Sequence, residues 1–234
     1  MALILSILDM HFIIMDSESF PCQLISWGEA YRLSKSLARE IKSSGYRPDL
    51  VIAIGRGGYV PARIVCDFLL HNLLTSMKIE HWGIAAQKQK EALIRFPLAI
   101  GIHDKKILII DDVTDTGDTL RTAVDHIRDL KACDIKTGVL QYKATSSFIP
   151  DFYADIIRDW RWIIYPWAAY EDLTGFVEKI LSVEFKGFDS ILAKLEECYG
   201  LKVDKDQMEE LLEDLVINRK AERKMDSYRK FSLN

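Results

Sequence analysis

The sequence is poor in cysteine, and its four cysteines lie far apart. Cys22, Cys66, Cys133 and Cys198 form no Cys-x-x-Cys pair. Closely spaced pairs are typical of structural zinc sites, and a high cysteine density is typical of small secreted disulfide scaffolds. The pattern argues against both and favours a cytoplasmic protein, kept in a reducing environment.

The sequence also lacks a basic excess. It has 31 Lys and Arg residues against 35 Asp and Glu residues, which gives a formal net charge of -4. A protein that neutralises many nucleic-acid phosphates needs a surplus of basic side chains. We therefore expect no nucleic-acid partner, and any anion that the chain binds must be held by a local site.

A long uninterrupted apolar run is missing as well. The N-terminal stretch "MALILSILDMHFIIM" is apolar, but Asp9 and His11 interrupt it and no basic region precedes it. It is too short and too broken for a membrane span or a signal peptide. We expect no membrane partner. Residues 1–14 are a possible N-terminal extension, either upstream of a natural start at Met15 or forming an added edge strand, and the sequence leaves this choice open.

The rest of the chain alternates short aliphatic strands with helices. Ser26 followed by Glu29 predicts a capped helix start, and "DLVIAIG", "KKILII" and "KTGVLQYK" have the composition of buried strands. This alternation predicts an α/β fold with a central parallel sheet flanked by helices. Ligands of such sheets bind beyond the carboxyl ends of the strands.

The pattern changes after Glu184. "DSILAKLEECYGL" predicts a helix capped by Asp189 or Ser190, and residues 204–224 predict another helix with Leu211, Leu212 and Leu215 on its apolar face. We therefore divide the chain into a domain of residues 1–184 and a helical C-terminal appendage of residues 185–234. We expect the apolar face to pack on that domain or on a second subunit.

Four aspartates crowd into "ILIIDDVTDTGDTL" at the end of a predicted strand. An Asp-Asp-x-x-Asp magnesium site on a helix does not fit, because the preceding residues are β-branched and Thr114, Thr116 and Gly117 would interrupt a helix. A capping cluster at a helix start would account for one or two of the acids and not for four.

The stretch resembles the phosphoribosyl diphosphate (PRPP) fingerprint of type I phosphoribosyltransferases. "IAIGRGGYVPARIV" resembles the diphosphate loop of the purine (xanthine-guanine or hypoxanthine-guanine) members, and "WIIYPW" resembles their base-binding segment. The resemblance covers roughly residues 24–175. It implies the type I phosphoribosyltransferase fold with a small hood.

The resemblance implies roles for the matching residues. The residues expected to bind PRPP and its phosphates are Arg56, Gly57, Asp111, Asp112, Thr114, Asp115, Thr116, Gly117, Asp118 and Thr119. Backbone N–H groups of the "DTGDT" turn, at a helix N-terminus, suit the 5'-phosphate, and carboxylates suit the ribose hydroxyls and Mg2+, which PRPP would share with Asp112. Asp118 replaces a small or varied residue of the family, and we expect its side chain to point to solvent.

The base-binding residues implied by the resemblance are Lys143, Trp162 and Ile163. Lys143 would donate to the purine 6-oxo group, Trp162 would stack on the base, and the Ile163 carbonyl would accept a hydrogen bond. Asp115 is the expected catalytic residue, beside purine N7. Trp160 is expected to be a packing residue. The chain departs from the family in carrying Ala168 where relatives have an acid after "PW".

The resemblance thus implies a glycosyltransferase of purine salvage that joins a 6-oxopurine base to PRPP. Its products would be diphosphate and a purine nucleoside monophosphate, its cofactor Mg2+, and its state a homo-oligomer, dimer or tetramer. Residues 84–104 are expected to form either a lid, with Lys88, Lys90 or Arg95 available for phosphates, or an ordinary β-hairpin. The alternatives on the same fold are a transcriptional regulator that senses PRPP or purine and an inactive homologue.

Overall fold

The computed structural model describes residues 19–82 and 88–231. Contacts divide them into two compact units. The sheet unit comprises residues 25–82 and 88–160, and the terminal unit comprises residues 19–24 and 161–231. Residues 1–14 lie outside the described residues, so the N-terminal extension stays a prediction, as does the domain division at residue 184.

The sheet unit is built on a six-stranded sheet with the order β4-β3-β2-β5-β6-β7. All neighbouring strands are parallel except β3 and β4, which pair antiparallel. The strand bounds are β2 Leu50–Gly55, β3 Leu74–Trp82, β4 Lys88–Phe96, β5 Lys106–Thr114, β6 Asp134–Lys143 and β7 Phe152–Ile157. The predicted parallel sheet is confirmed.

Three helices cover the two faces of this sheet. They are α1 Trp27–Ser43, α2 Tyr59–Leu69 and α3 Asp118–Asp129. One face of the sheet packs against α3 through Leu120 and Ile127. On the other face Leu37 of α1 lies against Gly138. The helices therefore flank the sheet as the sequence predicts.

Helix α1 begins where the capping motif indicates. The Ser26 hydroxyl accepts a hydrogen bond from the Glu29 backbone N–H at 3.1 Å. This contact satisfies one of the N–H groups that have no partner inside the first turn of a helix.

The segment that was expected to be either a lid or a hairpin contains strand β4, which pairs with β3 as a hairpin. Residues 83–87 lie outside the described part of the chain. Arg95 Nε donates to Glu80 Oε2 at 2.7 Å, so in this state its guanidinium binds a carboxylate on the neighbouring strand. Closure of this segment over a substrate stays a prediction.

The terminal unit brings the first described residues together with the last ones. Strand β1, Cys22–Leu24, pairs in parallel with β8, Trp162–Ile164. Three helices follow, α4 Ala169–Ile180, α5 Phe188–Tyr199 and α6 Lys205–Ile217. Phe20, Phe176 and Tyr199 pack together, with ring centroids 4.5–5.8 Å apart.

The apolar face of α6 is buried inside the chain. Leu211, Leu212 and Leu215 are at most 1% exposed, and α6 packs against α4. The two expected partners of this face were the domain of residues 1–184 and a second subunit. Helix α4, against which α6 packs, belongs to the first.

The appendage is not entirely helical, and the helix expected over residues 204–224 is wrong at its C-terminal end. Helix α6 ends at Ile217, and Arg219 has a positive φ of 55°. Strands β10 (Ala221–Lys224) and β11 (Ser227–Lys230) then form a hairpin, and β11 also pairs with the two-residue strand β9, Lys186–Gly187. The hairpin forms because it buries Ala221 and Tyr228.

Helix α5 also begins earlier than expected. Its N-cap is Gly187, and neither Asp189 nor Ser190 caps it. In the described part of the chain no helix is long and apolar enough to cross a membrane.

Candidate active site

The aspartate cluster lies in a strand-to-helix turn, as predicted. Asp111 and Asp112 are the sixth and seventh residues of the nine-residue strand β5, and α3 begins at Asp118. The three residues between these elements, Asp115, Thr116 and Gly117, form the loop that we call the phosphate loop together with Asp118 and Thr119. Because Asp111 and Asp112 lie in a strand, the structure excludes a helical Asp-Asp-x-x-Asp site.

Gly117 sets the shape of the phosphate loop. Its φ of 92° is in the left-handed region, which side chains other than glycine rarely adopt. A Cβ at this position would collide with Phe148 Cβ. The loop is held from the same side by Ser147, whose backbone N–H and hydroxyl both donate to the Thr116 carbonyl, at 3.1 and 2.8 Å.

Asp118 does not point to solvent, so that expectation is wrong. Its half-buried carboxylate accepts a hydrogen bond from Thr116 Oγ1 at 2.8 Å. The acid thus orients a hydroxyl of the loop. The backbone N–H groups at the start of α3, where the helix dipole favours negative charge, are the groups suited to an anion. Thr119 lies in the first turn of α3.

Asp111 and Asp112 share their local hydrogen bonds with the backbone of β5. The Asp112 N–H donates to Asp111 Oδ1 at 2.9 Å, and the Val113 N–H donates to Asp112 Oδ1 at 2.8 Å. Burial, with the charge of Asp112 as a smaller cause, raises the pKa of Asp111 well above its ordinary value.

The diphosphate loop meets this pair of acids at Gly57. A Cβ at Gly57 would collide with the Asp112 carboxylate. Glycine is therefore the residue that lets the "GRGG" backbone come close to the acids, while the Arg56 side chain is exposed. The structure brings these two predicted segments together.

Thr114 is buried, and its hydroxyl Oγ1 has no hydrogen-bond partner among the described residues. It is the last residue of β5 and pairs in register with Tyr142 of β6. A contact between its side chain and PRPP stays a prediction.

Lys143 and Asp115 form a buried ion pair. Lys143, the last residue of β6, is 2% exposed, and its Nζ lies 2.8 Å from Asp115 Oδ2. An ordinary lysine at a strand end would be solvated, so the burial is itself informative. A buried charge persists only where a partner compensates for lost hydration.

Trp160 belongs to the same cluster and was missed by the sequence analysis, which expected a packing residue. Its indole Nε1 donates to Asp115 Oδ1 at 3.3 Å, and its ring centroid lies 4.7 Å from Lys143 Nζ. A half-buried tryptophan is usually a packing residue, so the sequence carried no signal for this contact.

Trp162 and Ile163 lie in the terminal unit, on β8. The Trp162 indole Nε1 donates to Asp172 Oδ2 at 3.2 Å, and Asp172 is 7% exposed. The chain has Ala168 directly after "PW", and the acid that contacts Trp162 is Asp172, four residues further along the chain. Ile163 is buried and lies in register with Gln23 of β1.

The acidic pair suits a magnesium ion that PRPP would help to ligate. Among the residues that the structure describes, no three His, Cys, Asp or Glu side chains are grouped as a metal cage. Mg2+ usually binds one or two carboxylates and takes its other ligands from substrate phosphates and water. Adjacent Asp111 and Asp112, next to the diphosphate loop, fit that donor set.

Comparison with known proteins gives an independent finding. The family model described as "Phosphoribosyl transferase domain" matches residues 23–172. A xanthine-guanine phosphoribosyltransferase of Idiomarina loihiensis is 27% identical over 147 residues, which cover 62% of this chain and 86% of that protein. A hypoxanthine-guanine phosphoribosyltransferase of Saccharomyces cerevisiae is 30% identical over 154 residues, covering 58% and 69%.

A solved structure gives the same result. The purine phosphoribosyltransferase of Pyrococcus horikoshii has a TM-score of 0.54 at 28% sequence identity, and the match covers 62% of this chain and 93% of that one. The family match spans the diphosphate loop, the phosphate loop and the "WIIYPW" segment.

Proposed function

The chain belongs to the phosphoribosyl transferase domain family, and we propose that it transfers the 5-phosphoribosyl group of PRPP to N9 of a 6-oxopurine. The base is hypoxanthine, guanine or xanthine, and the products are diphosphate and a purine nucleoside monophosphate, as purine salvage requires. The named relatives are purine phosphoribosyltransferases, which does not favour a transcriptional regulator.

The observation that carries this proposal is the buried pair of Lys143 and Asp115 at the phosphate loop. A 6-oxopurine in the N7–H form offers an acceptor at O6 and a donor at N7, side by side on one edge. Lys143 is a donor only, and ionised Asp115 is an acceptor only. The pair therefore matches that edge, with Lys143 donating to O6 and Asp115 accepting the N7 proton as N9 attacks the anomeric carbon.

The remaining PRPP contacts follow from the charges of each group. The backbone of the phosphate loop and the Thr119 hydroxyl bind the 5'-phosphate. The Thr116 hydroxyl joins them by exchanging its bond to Asp118 for one to the phosphate. Asp111 and Asp112 accept hydrogen bonds from the ribose hydroxyls and stabilise the positive charge that develops on the ribose ring. Arg56 and the Gly57 backbone bind the leaving diphosphate.

Mg2+ held by Asp112 together with PRPP would offset the negative charge that develops on the diphosphate as it leaves. Trp162 as the stacking residue and the Ile163 carbonyl as an acceptor for the purine are proposed from the family resemblance. A cytoplasmic location and a homo-oligomer also stay predictions.

The test is a spectrophotometric assay with PRPP, Mg2+ and a panel of purine bases. We expect turnover of at least one 6-oxopurine, and turnover of none of them would refute the proposal. In Asp115→Asn turnover should fall by ~10²-fold or more, the usual scale for a lost acid-base group, while PRPP still binds. Asp125→Asn, an exposed acid on α3, is the matched control and should retain wild-type turnover.

A further inference from the structure

Trp160 contacts both members of the pair to which the reaction is assigned. Asp115 Oδ1 accepts from the Trp160 indole N–H at 3.3 Å, and Oδ2 accepts from Lys143 Nζ at 2.8 Å. The two carboxylate oxygens thus have different donors. Since a carboxylate with both oxygens engaged has little freedom to rotate, Trp160 helps to fix the plane of the Asp115 side chain.

The face of the same indole lies next to the ammonium group. The distance of 4.7 Å between Lys143 Nζ and the ring centroid is within the range of a cation–π interaction, which strengthens when the cation is desolvated. Lys143 is 2% exposed, so its ammonium group is desolvated.

We propose that Trp160 is a positioning residue that prepares Asp115 and Lys143 for the purine. This inference rests on the proposed function and extends it to a residue outside the family motifs. When a 6-oxopurine enters, Lys143 must exchange its bond to Asp115 for one to O6. The indole N–H still donates to Oδ1 of Asp115 and keeps this carboxylate oriented towards N7. The face of the ring stays against the Lys143 ammonium group and keeps it from turning out into solvent.

The two contacts can be separated by substitution. Trp160→Phe retains an aromatic face for Lys143 and removes the N–H donor. Trp160→Leu removes both. Trp27→Phe, on an exposed tryptophan at the start of α1, is the control and should behave as wild type.

In Trp160→Phe we expect kcat with hypoxanthine to fall about tenfold or more, the scale of one hydrogen bond to a charged group. The KM for PRPP should stay within about twofold, and the ratio of kcat/KM for hypoxanthine over adenine should be kept. In Trp160→Leu that ratio should fall by ~5-fold, because Lys143 is no longer held in place.

A merely structural tryptophan would give another result. Its loss would change the KM for PRPP along with kcat and would lower the turnover of hypoxanthine and adenine in the same proportion. Either that outcome in Trp160→Leu, or a kcat of Trp160→Phe within about twofold of wild type, would overturn the proposal.

A second measurement does not depend on turnover. In 15N-indole-labelled protein the Trp160 N–H resonance, identified by its loss in Trp160→Phe, should move in Asp115→Asn because an amide oxygen is a weaker acceptor than a carboxylate. An unmoved resonance would refute the positioning role even in an active enzyme. An inactive wild type with a moving resonance would instead refute the proposed function.

Discussion

The burial of Asp111 disfavours its charged form, and this should make the stability of the unliganded protein depend on pH. Burial raises its pKa in the folded state above the ordinary value for an aspartate. Between those two pKa values the folded protein holds a proton that the unfolded chain has released, so stability falls as pH rises through this window. Each pKa unit corresponds to about 1.4 kcal/mol.

Asp111→Asn removes this titration and keeps an oxygen for the Asp112 N–H. We expect its free energy of unfolding, relative to wild type, to increase as the pH rises above the ordinary pKa of an aspartate, as measured by urea unfolding without ligand at a series of pH values. Asp125→Asn, whose exposed carboxylate pairs with Arg128, should show no such trend. A pH-independent difference for Asp111→Asn would mean that the carboxyl group titrates normally.

Gly117 is the residue of the phosphate loop that tolerates substitution least. In Gly117→Ala a side chain would have to adopt a φ of 92° and would meet Phe148 and Ser146, at a cost of roughly 1–2 kcal/mol for the backbone alone. We expect a lower melting temperature and a KM for PRPP raised about tenfold or more. Gly187→Ala is the control, because a Cβ there meets no atom within 4 Å and the φ of this glycine is an ordinary -69°. Equal effects of the two substitutions would contradict this reading of the loop.

The sequence revealed the order of chemical groups in the site more clearly than their partners. Local order is enough to predict that Thr116, Gly117 and Thr119 follow a strand, because the loop is continuous in the chain. The pairing of Lys143 with Asp115 joins residues 28 positions apart. It depends on β5 and β6 being neighbours, which no local pattern specifies.

At the scale of elements, α6 is stabilised by burial of one apolar face. Leu212 is fully buried, whereas Ile217 at the end of the same helix is 75% exposed. Leu212→Ala should lower the free energy of unfolding by roughly 2–5 kcal/mol, and Ile217→Ala should change it by no more than about 0.5 kcal/mol. Urea unfolding of both variants provides the measurement, and a similar loss in both would show that α6 does not pack as described.

The start of α1 was more predictable than the end of α6. Ser26 predicts the start of α1 because its hydroxyl accepts a hydrogen bond from the backbone N–H three residues further along the chain. That contact lies within one turn and depends on local sequence alone. Nothing comparable marks the end of α6, because "NRKAERK" continues with good helix formers. Residues 221–224 become a strand because β11 pairs with them, and that pairing lies outside the local propensity.

At the scale of the whole molecule, the proposed function predicts two kinds of contact for substrate choice. Lys143→Ala should reduce kcat/KM selectively for 6-oxopurines, because the 6-amino group of adenine cannot accept from an ammonium group. Trp162→Ala should weaken all bases together, since every purine offers a π-face, worth ~1–3 kcal/mol by analogy with stacked bases elsewhere.

Turnover efficiencies for hypoxanthine and adenine in wild type and both variants measure this. Wild type should prefer hypoxanthine by at least ~10-fold, the result of leaving a buried donor unsatisfied. Efficient use of adenine by wild type would show that Lys143 does not read position 6. Trp27→Phe again serves as the control on a tryptophan outside these roles.

The pairing of β1 with β8 constrains the order in which the chain can fold during synthesis. After Leu24 has emerged from the ribosome, roughly 140 more residues must be added before Trp162, the first residue of the partner strand, emerges. This takes on the order of ten seconds at typical rates of synthesis. The whole sheet unit is translated in that interval and can fold first. The terminal unit closes only after β11, so a stalled or truncated nascent chain would carry a finished sheet and an unpaired first strand, a form that chaperones and proteases would recognise.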